Sequence, residues 1–447
     1  MQEGSAQSYA GHSSVAPAAE TNQININSLF PPELLVDVFD VLHRDAMDSL
    51  PFPLPYNEGI RTFKHHPLSD CMLVCRGWCN LIKTMPTYWT FVAIGALPKV
   101  VAGQPQDVVR LLGSEDVRDL KGRLKKAGSL PLYVTVAPEY ILDFGTVLDI
   151  LKEHAFQLET INIVKMPDLK RVTLHHISTE QLLQLFKLPL PSLKRLHIDE
   201  FDLLPSTSAT WNSSRVEIDA PQLYHLSWSS DLLIPQSPSH LTSLFISEVD
   251  TPTLRSTLTH GQVQLSSLIH LRITFSEPGL ILSALSTPLL QVLIYYSEDA
   301  SIHIPEELPE YPHLKELQWS DVGPDPTFDL VFRCCPHLAR YANYVIGKEE
   351  ELDVTLLVNL PTVLTRLGGT TLIKWPALEE VLFDCATYAA LKALVDVVPT
   401  IKRIRTLRDP LASPITLGTD TTRERALLSD LEEKADVVIG LDPWASE

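Results

Sequence analysis

The chain has 447 residues, 45% of them hydrophobic, and its 36 basic and 55 acidic residues give a formal net charge of −19. That length predicts roughly two to four domains with ample material for a core, and so negative a field repels phosphates, which excludes nucleic acid as a partner for the chain as a whole. No run of about 18 or more apolar residues appears, and the start Met1-Gln2-Glu3-Gly4-Ser5 lacks the basic and apolar segments of a signal peptide. The reading is a soluble protein without a membrane partner, at work in the cytoplasm, the nucleus or both. Six cysteines, Cys71, Cys75, Cys79, Cys334, Cys335 and Cys385, are too few and too clustered for a secreted disulfide framework and suit a reducing compartment.

Residues 1–27 are rich in Ser, Ala, Gln, Asn and Gly and poor in large apolar side chains, so they are expected to be a disordered tail. A helix is predicted from Pro32, because proline loses nothing in a first turn and Glu33 suits the positive end of the helix dipole. Leu34, Leu35, Val38, Val41 and Leu42 then gather into one wide apolar stripe. A second block, Pro67 to Trp89, predicts two short helices, with Pro67 as a start, Gly77 as the weak point between them and Pro86 as a stop. Three helices in about 60 residues make a marginal domain when alone. So much Leu, Val, Cys and Trp there implies that apolar surface is covered by something else.

At these residues the chain resembles an F-box, the helical motif that docks a protein onto the Skp adaptor of cullin-based ubiquitin ligases. The likeness rests on Pro32, Glu33, Leu34, Leu35, Phe39 and Leu42, then Leu73, Val74, Cys75, Arg76, Trp78, Leu81 and Ile82, and finally Pro86 and Trp89. It implies an F-box over residues 28–95 whose adaptor-binding side chains are Pro32, Leu34, Leu35, Val38, Leu42, Leu73, Val74, Cys75, Trp78, Leu81, Ile82 and Trp89. The chain departs from the pattern in the connector after the first helix, where His43 to His66 with Pro51, Pro53 and Pro55 replaces a short link and the usual Leu-Pro and Asp-Leu dipeptides are absent. A longer surface connection costs little, since loop closure grows only logarithmically with length.

Residues 96–128 read as a helical linker, with Val108, Val109, Leu111, Leu112, Leu120 and Leu124 spaced among charges from Gln104 to Ala127. Ser129 to Val136 alternates like a strand, and the preceding Lys125-Lys126-Ala127-Gly128-Ser129-Leu130-Pro131-Leu132 resembles the same junction in fungal F-box proteins. Over residues 129–411 a phrase recurs: often Pro or Ser, one residue, Leu, two mostly polar residues, Leu, one residue, then an apolar or aromatic one. Its clearest copies have first leucines at Leu193, Leu223 and Leu314, and weaker ones start at Leu158, Leu241, Leu268, Leu290, Leu338 and Leu378. From Leu193 onward the copies stand roughly 18 to 40 residues apart, around the period of about 20–29 found in leucine-rich solenoids. The resemblance is to divergent leucine-rich repeats. The fold class expected is therefore α/β, a three-helix F-box followed by an irregular repeat solenoid with a parallel β-sheet on its concave face. A helix near Thr422 to Lys434 and an acidic tail complete residues 412–447.

Cys71, Cys75 and Cys79 stand four apart beside His65 and His66, which suggests a soft metal site, but spacing by four along a helix is not a metal knuckle and core packing is the better reading. Cys334-Cys335 reads as a core feature rather than a redox pair. No nucleophile elbow, phosphate loop, metalloprotease or dinucleotide motif occurs, so no catalytic residue, metal or cofactor is expected. The basic run Lys402 to Arg408 could capture an acidic or phosphorylated segment, although a solvated face with Ile404 and Leu407 turned inward fits better. Concave positions that would meet a protein target are Arg195, His197, His225, Ser227, Phe245, Arg272, Tyr296, Glu316, Gln318 and Glu380. The function expected is a non-catalytic substrate receptor joined through the Skp adaptor to cullin, with an unidentified protein as target. The alternative is a repeat scaffold with a vestigial F-box.

Overall fold

In a computed structural model the described residues are 30–48, 67–94, 114–136, 144–163, 184–198, 217–228, 234–235, 238–247, 263–274, 281–282, 285–296, 310–320, 335, 337–344, 377–383, 388–406 and 421–439. The expected tail over 1–27, most of the connector before Pro67, the linker up to residue 113, Cys334, Cys385, Leu407 and the acidic end after Gly440 lie outside them. The chain divides into two compact units, one with residues 30–48 and 67–85 and one from Pro86 onward.

The first unit holds three helices, α1 (Pro32–Asp48), α2 (Pro67–Val74) and α3 (Arg76–Thr84). Helix α1 starts at the predicted proline, and the carbonyl of Pro31 accepts from the N–H groups of Leu34 and Leu35 at 3.1 and 3.3 Å. It runs past the expected boundary: His43, placed by the sequence at the start of a connector, is a buried residue of the helix. The apolar stripe also divides. Leu35, Phe39 and His43, four residues apart, turn inward, while Leu34, Val38, Val41 and Leu42 stay exposed. Phe39 is fully enclosed and meets the Trp78 ring edge to face, 5.2 Å between centroids. The break between α2 and α3 falls at Cys75, two residues before the predicted Gly77. Cys75 is extended, and its Sγ accepts the Trp78 N–H at 3.4 Å, so the thiol does the capping that a hydroxyl usually does. Gly77 sits exposed inside α3.

The second unit is a mixed α/β structure built on parallel strands. Its strands are β1 (Phe91–Ile94), β2 (Leu132–Val136), β3 (Leu158–Ile163), β4 (Arg195–Ile198), β5 (Glu217–Ile218), β6 (His225–Trp228), β7 (Ile234–Pro235), β8 (Ser243–Ser247), β9 (Val263–Gln264), β10 (His270–Thr274), β11 (Leu285–Ser286), β12 (Val292–Tyr296), β13 (Glu316–Ser320), β14 (Arg340–Tyr344), β15 (Glu380–Phe383), β16 (Arg403–Thr406) and β17 (Asp436–Ile439). Thirteen of them form one sheet in the order β1-β2-β3-β4-β6-β8-β10-β12-β13-β14-β15-β16-β17, and β5 with β7 and β9 with β11 make two small pairs. Every pairing recorded among them is parallel. Helices α4 (Ser114–Ala127), α5 (Phe144–Glu153), α6 (Tyr388–Val397) and α7 (Thr421–Glu432) belong to the same unit.

The recurring phrase explains this order. At Leu193, Leu223, Leu241, Leu268, Leu290, Leu314 and Leu338 the leucine N–H donates to the carbonyl three residues back, at 3.0 to 3.4 Å, and closes a β-turn. Pro191, Pro221, Pro288 and Pro312 occupy the second position of such turns, where a fixed φ favours proline. The strand then begins two residues after the leucine. The turn leucines and the residues three further on are buried at every copy of the phrase. Each fully enclosed leucine contributes about 1.5–3 kcal/mol, and a parallel neighbour needs a crossover connection, so one turn, one buried row and one crossover per copy generate nine of the sheet's thirteen strands, β3, β4, β6, β8, β10, β12, β13, β14 and β15. Its ends were not foreseen as strands: β1, β16 and β17 carry no copy of the phrase. The helix expected near Thr422 to Lys434 spans Thr421–Glu432 and leads directly into β17, which pairs with β16. Among the described residues no helix is long and apolar enough to cross a membrane.

Candidate functional site

Two surfaces have the chemistry of contact sites, one on each unit. On the first unit the outward side of α1 presents Leu34 (51% exposed), Val38 (52%), Val41 and Leu42, with Phe30 just before the helix. Leu73 (84%) and Val74, at the end of α2, are exposed as well. Burial of the inward side of α1 spends Leu35 and Phe39 on the unit's own core. The exposed side chains have the opposite chemistry to a solvated helix face, and exposed apolar clusters of this sort mark contact surfaces.

The side chains expected at an adaptor surface therefore separate into three groups. Pro32, Leu34, Val38, Leu42, Leu73 and Val74 are exposed; Cys75, Trp78 and Leu81 are half-buried. Leu35 and Ile82 are buried, as is Trp89 in the other unit, where Lys126 Nζ sits 3.8 Å from its ring centroid and the Arg123 guanidinium 5.6 Å. Side chains so enclosed pack within their own unit in this structure. Phe30 and Val41, which the sequence reading left off that surface, are exposed, and for Val41 the signal was its place in the same stripe. Trp78 Nε1 is buried without a hydrogen-bond acceptor among the described atoms. Cys71 has its thiol pushed up by burial and by Asp70, which keeps it protonated and a poor metal ligand. Among the described residues no group of three or more His, Cys, Asp or Glu is placed to hold a metal ion.

On the second unit, alternation along each strand gives the large sheet one apolar and one mostly polar face. The register aligns Leu196, Leu226, Leu244, Leu271, Leu293 and Leu317 in one row of the apolar face. On the other face one row runs Arg195, His225, Ser243, His270, Val292, Glu316, Arg340, Glu380, Arg403, Asp436. The next runs His197, Ser227, Phe245, Arg272, Ile294, Gln318, Ala342, Leu382, Arg405, Val438 in the same pairings. All ten positions expected on a target-binding face fall on this side, with Tyr296 at a register position one row further.

The face is not uniform. In its later strands the charges pair across neighbours: Arg340 with Glu316, Arg405 with Glu380 at 2.6 Å, and Arg403 with Asp436 at 3.3 Å and with Glu380 at 4.0 Å. Gln318 Nε2 donates to Glu316 Oε1 at 2.9 Å. Within the basic run Lys402 to Arg408, Arg403–Thr406 form strand β16 with Ile404 buried and with Arg403 and Arg405 paired to carboxylates, while Leu407 and Arg408 lie outside the described residues. The sequence reading missed Arg340 and Asp436 and named Arg403 and Arg405 only as part of the basic run, although Arg340 could have been found as the residue two after a turn leucine.

In the earlier strands, His197 Nδ1 and Ser227 Oγ share a hydrogen bond at 2.8 Å, and Asn162 Nδ2 donates to Thr135 Oγ1 at 3.4 Å one strand back. All four are buried. Burial, then the Arg272 charge, lowers the His197 pKa to about 4, so the imidazole is neutral at physiological pH. Burial, then Arg195 and His270, lowers His225 likewise to about 4. A serine this enclosed has no route to a substrate, and the pair works as a rung between strands rather than as a nucleophile with its base. No family model matches the chain, and no curated protein matches it in sequence.

Proposed function

We propose that this chain is a substrate-recognition subunit of a cullin-based ubiquitin ligase, with the three-helix unit acting as an F-box on the Skp adaptor and the sheet acting as a leucine-rich-repeat receptor for a protein target. The observation that carries the reading is the division of α1: Phe39 and Leu35 supply the small core, while Leu34, Val38, Val41 and Leu42 remain exposed beside Leu73 and Val74. The positions that carry the resemblance include four of these exposed side chains. Holding a target beside a charged ubiquitin carrier raises effective concentration, so the chain needs no catalytic residue of its own.

The test is immunoprecipitation of the full chain from cells with the proteasome inhibited. The adaptor and cullin are expected in the precipitate of the native sequence and absent from that of a Leu34→Asp, Val38→Asp double variant. A precipitate containing neither partner, or both partners at equal levels with either sequence, contradicts the reading.

A further inference from the structure

Helix α4, which lies between β1 and β2 in the chain, carries an exposed basic face on the second unit. Leu120, Leu124 and Ala127 are buried and Val117 packs against the same core, so one side of the helix is spent inside the unit. On the flank, Arg123 pairs with Asp119 at 3.2 Å, and Arg123 and Lys126 both lie over the Trp89 ring, Lys126 Nζ at 3.8 Å from its centroid. The outward side is left to Arg118, Lys121, Gly122 and Lys125, all exposed, at the i, i+3, i+4 and i+7 positions that share one helix face. Among the described residues no carboxylate pairs with Arg118, Lys121 or Lys125. In a chain of net charge −19 such a row of cations runs against the overall sign.

Two features of this face work against the helix that bears them. Glycine in a helix interior is less stable than alanine, and the like charges Arg118 and Lys121, three apart, and Lys121 and Lys125, four apart, repel each other. Packing within the unit does not demand the glycine, because a Cβ built on Gly122 meets nothing within 4 Å. Gly122 stands four residues after Arg118 and three before Lys125, so it leaves a bare strip of helix bordered by cations. Local rules broken with no gain inside the fold mark a surface shaped for a partner.

Charge complementarity calls for an acidic occupant. The Cα atoms of Arg118 and Lys125 stand about 10 Å apart along the helix axis, which makes a line of charge rather than a pocket closing on one phosphate. A membrane surface is disfavoured because the apolar side of α4 is buried and has nothing to insert, and nucleic acid is disfavoured by the charge of the whole chain. A row of carboxylates fits a line of cations, and the missing side chain at position 122 lets the segment that carries them lie close to the helix.

We propose that the face of α4 bearing Arg118, Lys121 and Lys125 docks an acidic segment of a partner protein, seated over Gly122. The proposal stands on α4 and goes beyond the adaptor and receptor reading, which gives this helix no role.

The test is fluorescence anisotropy of the full-length chain with a short labelled glutamate-rich peptide. The peptide is expected to bind, its glutamine counterpart not to bind, and binding to weaken with added salt. Changing Arg118, Lys121 and Lys125 together to Gln should weaken binding about tenfold or more. Gly122→Leu, which fills the bare strip, should also weaken it while the thermal unfolding transition is retained, and Arg403→Gln, whose cation is already paired with Asp436, should leave it unchanged. The salt dependence and the glutamine peptide are read on the native chain, so a variant that fails to fold leaves the result decisive. Equal binding of the two peptides, equal loss with Arg403→Gln, or full binding by the Gly122→Leu chain overturns the proposal. So does tighter binding of duplex DNA, of anionic phospholipid vesicles or of a peptide whose one anionic group is a phosphoserine. Tighter peptide binding after Glu349, Glu350 and Glu351 are changed to Gln also overturns it, since the face then belongs to the chain's own acidic stretch. Adaptor capture is measured separately, so a chain that holds the adaptor and ignores the peptide refutes this proposal alone.

Discussion

His197 offers a quantitative test of the polar rung between β4 and β6. Its pKa is lowered from 6.5 to about 4, first by burial and then by Arg272, so the folded protein binds this proton less readily than the unfolded chain. The neutral imidazole therefore contributes stability that is present above about pH 6.5 and is lost as pH falls towards 4. Between about pH 7 and pH 5 the loss from this one group is about 2 kcal/mol. The perturbation is His197→Asn, whose amide nitrogen can stand where Nδ1 meets Ser227 Oγ but cannot titrate. Urea unfolding followed by circular dichroism should show the native chain losing about 2 kcal/mol more than the variant over that interval. Carboxylates elsewhere act equally on both proteins and cancel in the difference. Parallel pH dependences in the two would refute the argument and show that His197 is solvated or already charged.

The two sides of α1 should respond differently to truncation. Phe39→Ala, which empties a fully enclosed site and removes the Trp78 edge contact, is expected to cost about 3–5 kcal/mol, whereas Val38→Ala, on the exposed side, should cost less than about 0.5 kcal/mol; amide hydrogen exchange within the three-helix unit reads both. Arg405→Ala removes the 2.6 Å partner of Glu380, whose side chain is 14% exposed, and leaves it, among the described residues, with Arg403 at 4.0 Å. The expected cost is about 1–3 kcal/mol in urea unfolding, and an unchanged midpoint would show the pair to be ornamental to stability.

Local chemistry made much of the fold legible. A proline in the first turn, Pro-x-Leu at the β-turns and leucines three apart each act within a few residues, so the start of α1 and the strands that follow each copy of the phrase could be read directly. The boundary at Cys75 could not, because a thiol cap depends on how α3 returns its Trp78 N–H, while Gly77 is tolerated inside the helix. The end strands were hidden for a related reason. A strand such as Asp436–Ile439 finds its place by pairing with Arg403–Thr406, itself read only as a basic run because its turn carries Ile401 and Ile404 where the phrase has leucines. The position of the ten polar-face residues followed from parity, but the pairs Arg340–Glu316, Arg405–Glu380 and Arg403–Asp436 emerge only once the register aligns strands far apart in sequence. On α1 the stripe was visible as a whole, and only packing against Trp78 decided which half of it faces inward.

The central claim is that the exposed side of α1, with Leu73 and Val74, is a docking surface for the Skp adaptor. Isothermal titration of the purified full-length chain with purified adaptor tests it most directly. Saturable binding with a negative heat-capacity change is predicted, weakened at least about a hundredfold by Val38→Asp or Leu73→Asp while the thermal unfolding transition is retained. An adaptor that fails to bind the native chain, or binds both variants as tightly, would contradict it.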